Sequence, residues 1–114
     1  MKKIYCIDLD DTICFPNHQY KDSIKKYLEA KPNKPIIDKI NNLYKEDNKI
    51  IIFTARRMLT HKGNLDKIIS DVGEITKEWL SSNDVNYHEL RFGKPYADYY
   101  VDDKAVLLSS FLNE

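Results

Sequence analysis

Three aspartates, Asp8, Asp10 and Asp11, fall within four positions of the stretch IYCIDLDDTICF (residues 4–15), directly after an apolar run. Repulsion and desolvation both oppose such a crowd at the end of a buried strand, so either the strand ends in solvent and the acids are incidental, or something cationic belongs there. Other polar residues also follow apolar runs: Thr54 after KIIIF, Lys94 in RFGKP, and Asp102 and Asp103 at the end of DYYVDD. Carboxylates gathered on one rim repel unless a divalent cation neutralises them. Oxygen donors without a His or Cys cluster point to Mg²⁺. Such an ion leaves positions for a phosphate oxygen, while a lysine ammonium and a threonine hydroxyl bind others. The chemistry suited to this set is phosphoryl transfer, where positioning and charge neutralisation do most of the work. Asp8 is the natural nucleophile: with an ordinary pKa of ~3.9 it is ionised at neutral pH without a base. Its product is an aspartyl-phosphate. Asp10 lies two residues on, and an acid beside an ionised one tends to hold its proton. It can protonate the leaving oxygen, then take a proton from the attacking water.

These residues need elements to position them. KKIYCID reads as a buried strand, with Cys6 a small buried hydrophobe. SIKKYLEA carries Ile24, Tyr27 and Leu28 at helical spacing, so residues 15–31 are read as a helix or a flap. Ile36, Ile37, Ile40, Leu43 and Tyr44 mark one helix face, and KIIIF a second buried strand ending at Thr54. The polar ARRMLTHKGN is a loop. Ile68, Ile69, Val72, Ile75, Trp79 and Leu80 form a stripe that predicts a core-packed helix. NYHEL is a third strand, DYYVDD a fourth ending in its two acids, and AVLLSSFL a last short helix. Strands alternating with helices predict an α/β fold with a mostly parallel sheet, covered on both faces. Ligands of such sheets sit beyond the carboxyl ends of the strands, near the point where strand order reverses. The polar residues named above fall at those ends.

At this point the chain resembles the haloacid dehalogenase (HAD) superfamily of phosphatases. DLDDT matches its DxDxT signature. KIIIFT, FGKP and YYVDD are similar to its three later motifs, in order and across nearly the whole chain. The resemblance implies a three-layer Rossmann-like fold. It implies Asp8 as nucleophile, Asp10 as acid and base, and Thr54 and Lys94 as phosphate binders. It also implies Mg²⁺ held by the Asp8 carboxylate, the Asp10 backbone carbonyl and one of Asp102 and Asp103, with Asp103 favoured. Many relatives carry a cap domain, but each gap between motifs here is about 40 residues and already holds a helix, leaving no room for one. The short length and the stretches TARRMLTHKGN and GKPYADYYVDDKA look most like small phosphatases of capsule and surface-polysaccharide synthesis. Without a cap, specificity falls to residues 15–31, to the loop 56–64, or to a second subunit covering the open site. Arg56 and Arg57 are expected to contact an anionic group of the substrate. His61 and His18 are candidate substrate contacts.

The 114 residues fit a single domain, 1–114. With 18 basic and 18 acidic side chains the net charge is zero, which argues against an overall nucleic-acid-binding field. No apolar run reaches the ~18 residues of a membrane span, and Met1-Lys2-Lys3 leads into too short an apolar stretch for a signal peptide. Two cysteines without metal spacing fit a cytoplasmic protein. The expectation is a Mg²⁺-dependent phosphomonoesterase acting on a small phosphorylated sugar or sugar-derived precursor. Two rivals stand beside it. One is a polynucleotide end phosphatase, which an uncapped site would admit. The other is a phospho-acceptor signalling module, whose motif order differs because its lysine comes last.

Overall fold

The run KIIIFT buries every second residue, Ile50, Ile52 and Thr54, and becomes the central strand of a parallel sheet. The structure is a computed structural model and describes residues 2–113. In chain order its elements are β1 (Ile4–Asp8), β2 (Cys14–Phe15), a 3-10 turn (His18–Tyr20), α1 (Lys25–Leu28) and β3 (Lys31–Pro32). Then follow α2 (Lys34–Lys45), β4 (Lys49–Thr54), α3 (Leu65–Ser82), β5 (Glu89–Phe92) and α4 (Leu108–Leu112). The strands β1, β4 and β5 lie in that order, with Ile4 opposite Lys49 and Asp8 opposite Phe53 on one side of β4. On its other side Thr54 pairs with Phe92. Parallel neighbours require crossovers, and α2 and α3 supply them.

The helices form for legible reasons. In α2 a proline sits in the first turn, where its missing N–H is no loss, and Ile36, Ile37 and Ile40 turn inward. In α3 the Asn64 side chain accepts the Lys67 N–H at 3.2 Å, a cap worth ~1 kcal/mol. The main core joins Ile7, Leu9, Ile13, the three α2 isoleucines, Ile50, Ile52, Leu80 and Phe111. Fully burying each such side chain stabilises the fold by ~1.5–3 kcal/mol. Ile69, expected in the α3 stripe, is instead about half exposed, because Ile68 and Val72 carry the contact with Tyr27. Residues 15–31 prove to be both flap and helix. The antiparallel pairing Phe15↔Lys31 and Cys14↔Pro32 clasps the base of an excursion that includes the one-turn α1.

Three further expectations change. Cys6 is exposed, because it lies with Ile4 on the face of β1 opposite Tyr5 and Ile7, and those two face the core. The third strand begins at Glu89, later than NYHEL suggests, since the His88 ring and backbone both engage Ile50 at the sheet's start. DYYVDD forms no strand. Residues 93–107 run without helix or strand, and Tyr99 and Val101 are almost wholly exposed. Local contacts hold this segment instead: the Tyr100 hydroxyl donates to the Pro95 carbonyl, and the Asp102 carboxylate accepts the Lys104 N–H at 2.8 Å. AVLLSSFL is correspondingly shortened to α4, whose Phe111 packs on Tyr5 with ring centroids 6.0 Å apart. Among the described residues no helix is long and apolar enough to cross a membrane. The chain is a compact α/β domain with a three-stranded parallel sheet and helices packed against it.

Candidate functional site

After Asp8 the chain leaves the sheet in a tight turn, in which Thr12, Ile13 and Cys14 all donate their N–H to the Leu9 carbonyl. Leu9, Ile13 and Cys14 are fully buried and anchor the turn, so the acids between them face outward. Asp11 takes a left-handed φ of 65° and is exposed, as suits a turn residue. The turn is tied to the start of α2: Asn33 donates its N–H to Ile13 and its amide to the Thr12 carbonyl.

Three strand ends meet here. Lys94 follows β5 by two residues, and its N–H donates to the Thr54 carbonyl at 3.1 Å. Gly93 makes this return possible, with φ 96° and with Leu65 so close that a Cβ would lie 2.8 Å from its Cδ2. The Lys94 ammonium reaches Asp8 Oδ1 at 3.3 Å, and Thr12 donates its hydroxyl to Asp8 Oδ2 at 3.4 Å. Burial pushes the Asp8 carboxyl above the usual range, and Lys94 opposes that shift.

Asp10 has a different partner. The Arg56 Nε–H lies 3.1 and 2.9 Å from its two oxygens, and Nη2 donates to Oδ1 at 2.8 Å. Arg56 is buried, donates from Nη1 to the Thr76 hydroxyl at 2.9 Å, and lies 4.2 Å from the Tyr27 ring centroid. The Cys14 thiol donates to Asp10 Oδ1, and burial keeps that thiol protonated well above its ordinary range. Arg56 therefore holds an acid of the chain itself, where an external anion had been expected. Thr54 is fully buried; its hydroxyl accepts the Arg56 N–H at 3.0 Å and does not line the cleft. Arg57 pairs with Asp71 at 3.2 Å and donates to the Asp22 carbonyl at 2.8 Å. His61 also lies on Asp71, at 2.9 Å, and is not in the cleft wall.

The cleft encloses about 420 Å³ and is walled by Asp8, Asp10, Asp11, Asp22, Lys26, Tyr27, Arg56, Arg57, Lys94, Tyr96 and Tyr100, among others. The structure thus brings Asp8, Asp10, Lys94, Arg56 and Arg57 together. Asp102 and Asp103 stay apart, exposed in the 93–107 segment. Among the described residues no group of three or more His, Cys, Asp or Glu is placed to hold a metal. In the structure Lys94 partners the Asp8 carboxylate, and Arg56 partners the side-chain carboxylate of Asp10.

Sequence reasoning missed Thr76, Asp71, Cys14 and Lys26 as parts of this site. Thr76 had a signal, since it lies between Val72 and Leu80 at four-residue spacing, a polar side chain in a buried stripe. Asp71 and Lys26 had none, because a charge on an amphipathic segment reads as solvated.

With this geometry in view, the chain can be set beside proteins of known structure. The crystal structure of a Vibrio cholerae protein matches it with a TM-score of 0.85 at 33% identity, covering 98% of this chain and 89% of that one. The chain belongs to the family of that Vibrio cholerae protein. A chain in the structure of the Pnkp1/Rnl/Hen1 complex matches with a TM-score of 0.56 at 19% identity, over 89% of this chain and 31% of that one. That second likeness concerns the fold alone, and this chain spans under a third of its partner's length. No protein-family model and no curated protein matches the sequence.

Proposed function

We propose that the chain is a HAD-like phosphomonoesterase with a Rossmann-like fold and no cap domain, working through an aspartyl-phosphate on Asp8. The observation that carries this reading is Asp8 at the carboxyl end of β1, 3.3 Å from the Lys94 ammonium, on the floor of an open cleft. The carboxylate attacks the phosphorus, and the bond to the ester oxygen breaks. Lys94 offsets the repulsion between two anions that would otherwise oppose the approach. Asp10, on the same wall and held as a carboxylate by Arg56, takes a proton from the water that cleaves the acyl phosphate, while the departing oxygen is protonated by solvent in the open cleft. Arg56 fixes where that carboxyl points. The cleft suits a sugar-sized phosphoester in volume. Four carboxylates (Asp8, Asp10, Asp11, Asp22) balance four cations (Lys26, Arg56, Arg57, Lys94) in its wall. This balance favours a small ester over a polynucleotide, whose binding needs excess positive charge.

The test is phosphate release from phenyl phosphate with Mg²⁺ present. The native protein turns over, Asp8→Asn does not, and Asp10→Asn retains only a trace. Full turnover in Asp8→Asn would sink the mechanism.

A further inference from the structure

Tyr27 is buried in the wall of the cleft, and three cations crowd its ring. The Arg56 and Arg57 guanidinium carbons lie 4.2 and 5.3 Å from its centroid, and the Lys26 ammonium 5.0 Å. The ring face attracts each cation, but the cations repel one another in a site of reduced dielectric. Arg56 is compensated by Asp10. Arg57 has Asp71 nearby, yet its buried Nε–H makes no hydrogen bond although Asp71 Oδ2 is 3.2 Å away. The contact is an ion pair without a shared proton, and Asp71 also serves His61. A buried donor left unmade costs about 1–3 kcal/mol. Lys26 faces the same cleft and has no carboxylate partner among the described residues. The cleft wall therefore holds, besides Asp8 with its Lys94, a Lys26 ammonium without such a carboxylate partner and an Arg57 whose carboxylate is shared with His61.

We infer that Lys26 and Arg57 form a second anion subsite, which takes an oxyanion carried by the same substrate whose phosphoryl group meets Asp8. The substrate class is a phosphomonoester bearing a further carboxylate or phosphate. An oxyanion there accepts from the Lys26 ammonium, is attracted by the Arg57 guanidinium, and relieves the repulsion around Tyr27. Asp22 and His18 also line this region; the Asp22 carbonyl is engaged by Arg57, which orients the guanidinium.

The inference rests on the phosphomonoesterase reading, and calorimetry separates the two. Asp8→Asn protein, which cannot turn over, is titrated with phenyl phosphate, 3-phosphoglycerate and fructose 1,6-bisphosphate. The expected result is binding of at least one doubly anionic ester roughly tenfold or more tighter than phenyl phosphate. Comparing the two doubly anionic probes tells carboxylate from phosphate. Adding Lys26→Gln brings all three to parity, while Arg57→Lys, which keeps the charge, loses only part of the preference. Lys26 is half-exposed, so an unchanged melting temperature accompanies the loss. Equal binding of the three probes overturns the inference, as does a preference that survives Lys26→Gln. A Lys26-dependent preference in a protein that never releases phosphate from phenyl phosphate leaves the subsite standing and removes the catalytic reading.

Discussion

Replacing Arg56 by alanine removes one partner of a nearly enclosed ion pair. The Arg56 side chain is 1% exposed and that of Asp10 24%. Breaking a fully buried pair from one side costs about 3–5 kcal/mol, because the remaining charge is stranded. Asp10 can recover some water, which places the expected cost at the lower end, near 3 kcal/mol. Losing the stack on Tyr27 adds roughly 1 kcal/mol, within the range for a desolvated cation on a ring. Thr76 adds little, since its hydroxyl still donates to the Val72 carbonyl at 2.7 Å. A chain of this size has a total stability of about 6–17 kcal/mol, so the variant folds but melts lower, by roughly 10–15 °C. Thermal and urea unfolding read the loss. Arg56→Lys keeps a charge but cannot span both Asp10 oxygens and Thr76 together, so it recovers only part. A double-mutant cycle with Asp10→Asn isolates the pair, with an expected coupling of ~2 kcal/mol or more. A melting point within about 2 °C of the parent in Arg56→Ala would show that the pair is solvated and that the account of Asp10 is wrong.

Burial raises the Asp8 carboxyl against the opposing effect of Lys94, and its ionised form is the nucleophile. The acidic limb of kcat/KM therefore lies above the ordinary aspartate value of ~3.9, and Lys94→Gln moves it further up; a limb at or below that value contradicts the burial argument. For stability the sign is the reverse: a raised carboxyl favours the fold while protonated, and that contribution is lost as pH rises through the raised value. Gly93→Ala meets both a positive φ and the 2.8 Å approach to Leu65, so it costs ~1–3 kcal/mol in unfolding and depresses turnover by displacing Lys94. Treatment with EDTA is expected to abolish phosphate release, and Mg²⁺ to restore it. Undiminished release in EDTA would assign the neutralisation of Asp8 and Asp10 to Lys94 and Arg56 alone.

The sequence by itself determined the parts that periodicity and local chemistry dictate. The strand at KIIIFT, the isoleucine face of α2, the apolar stripe of α3 and the acid-rich end of β1 were all legible. So was the gathering of Asp8, Asp10 and Lys94 at strand ends, because a parallel sheet places those ends together. Tertiary structure alone decided who partners whom. Arg56 lies two residues after Thr54 and reads as a contact for a substrate anion, yet the fold buries it against Asp10, 46 positions away, and Thr76, 20 positions away. Likewise the β-forming residues of DYYVDD specify a strand only if an edge takes them. In the fold, local bonds at Tyr100 and Asp102 hold that segment instead, and β1 keeps one side unpaired. Pattern reports which residues can be buried; which charges then share a desolvated space depends on contacts between distant parts of the chain.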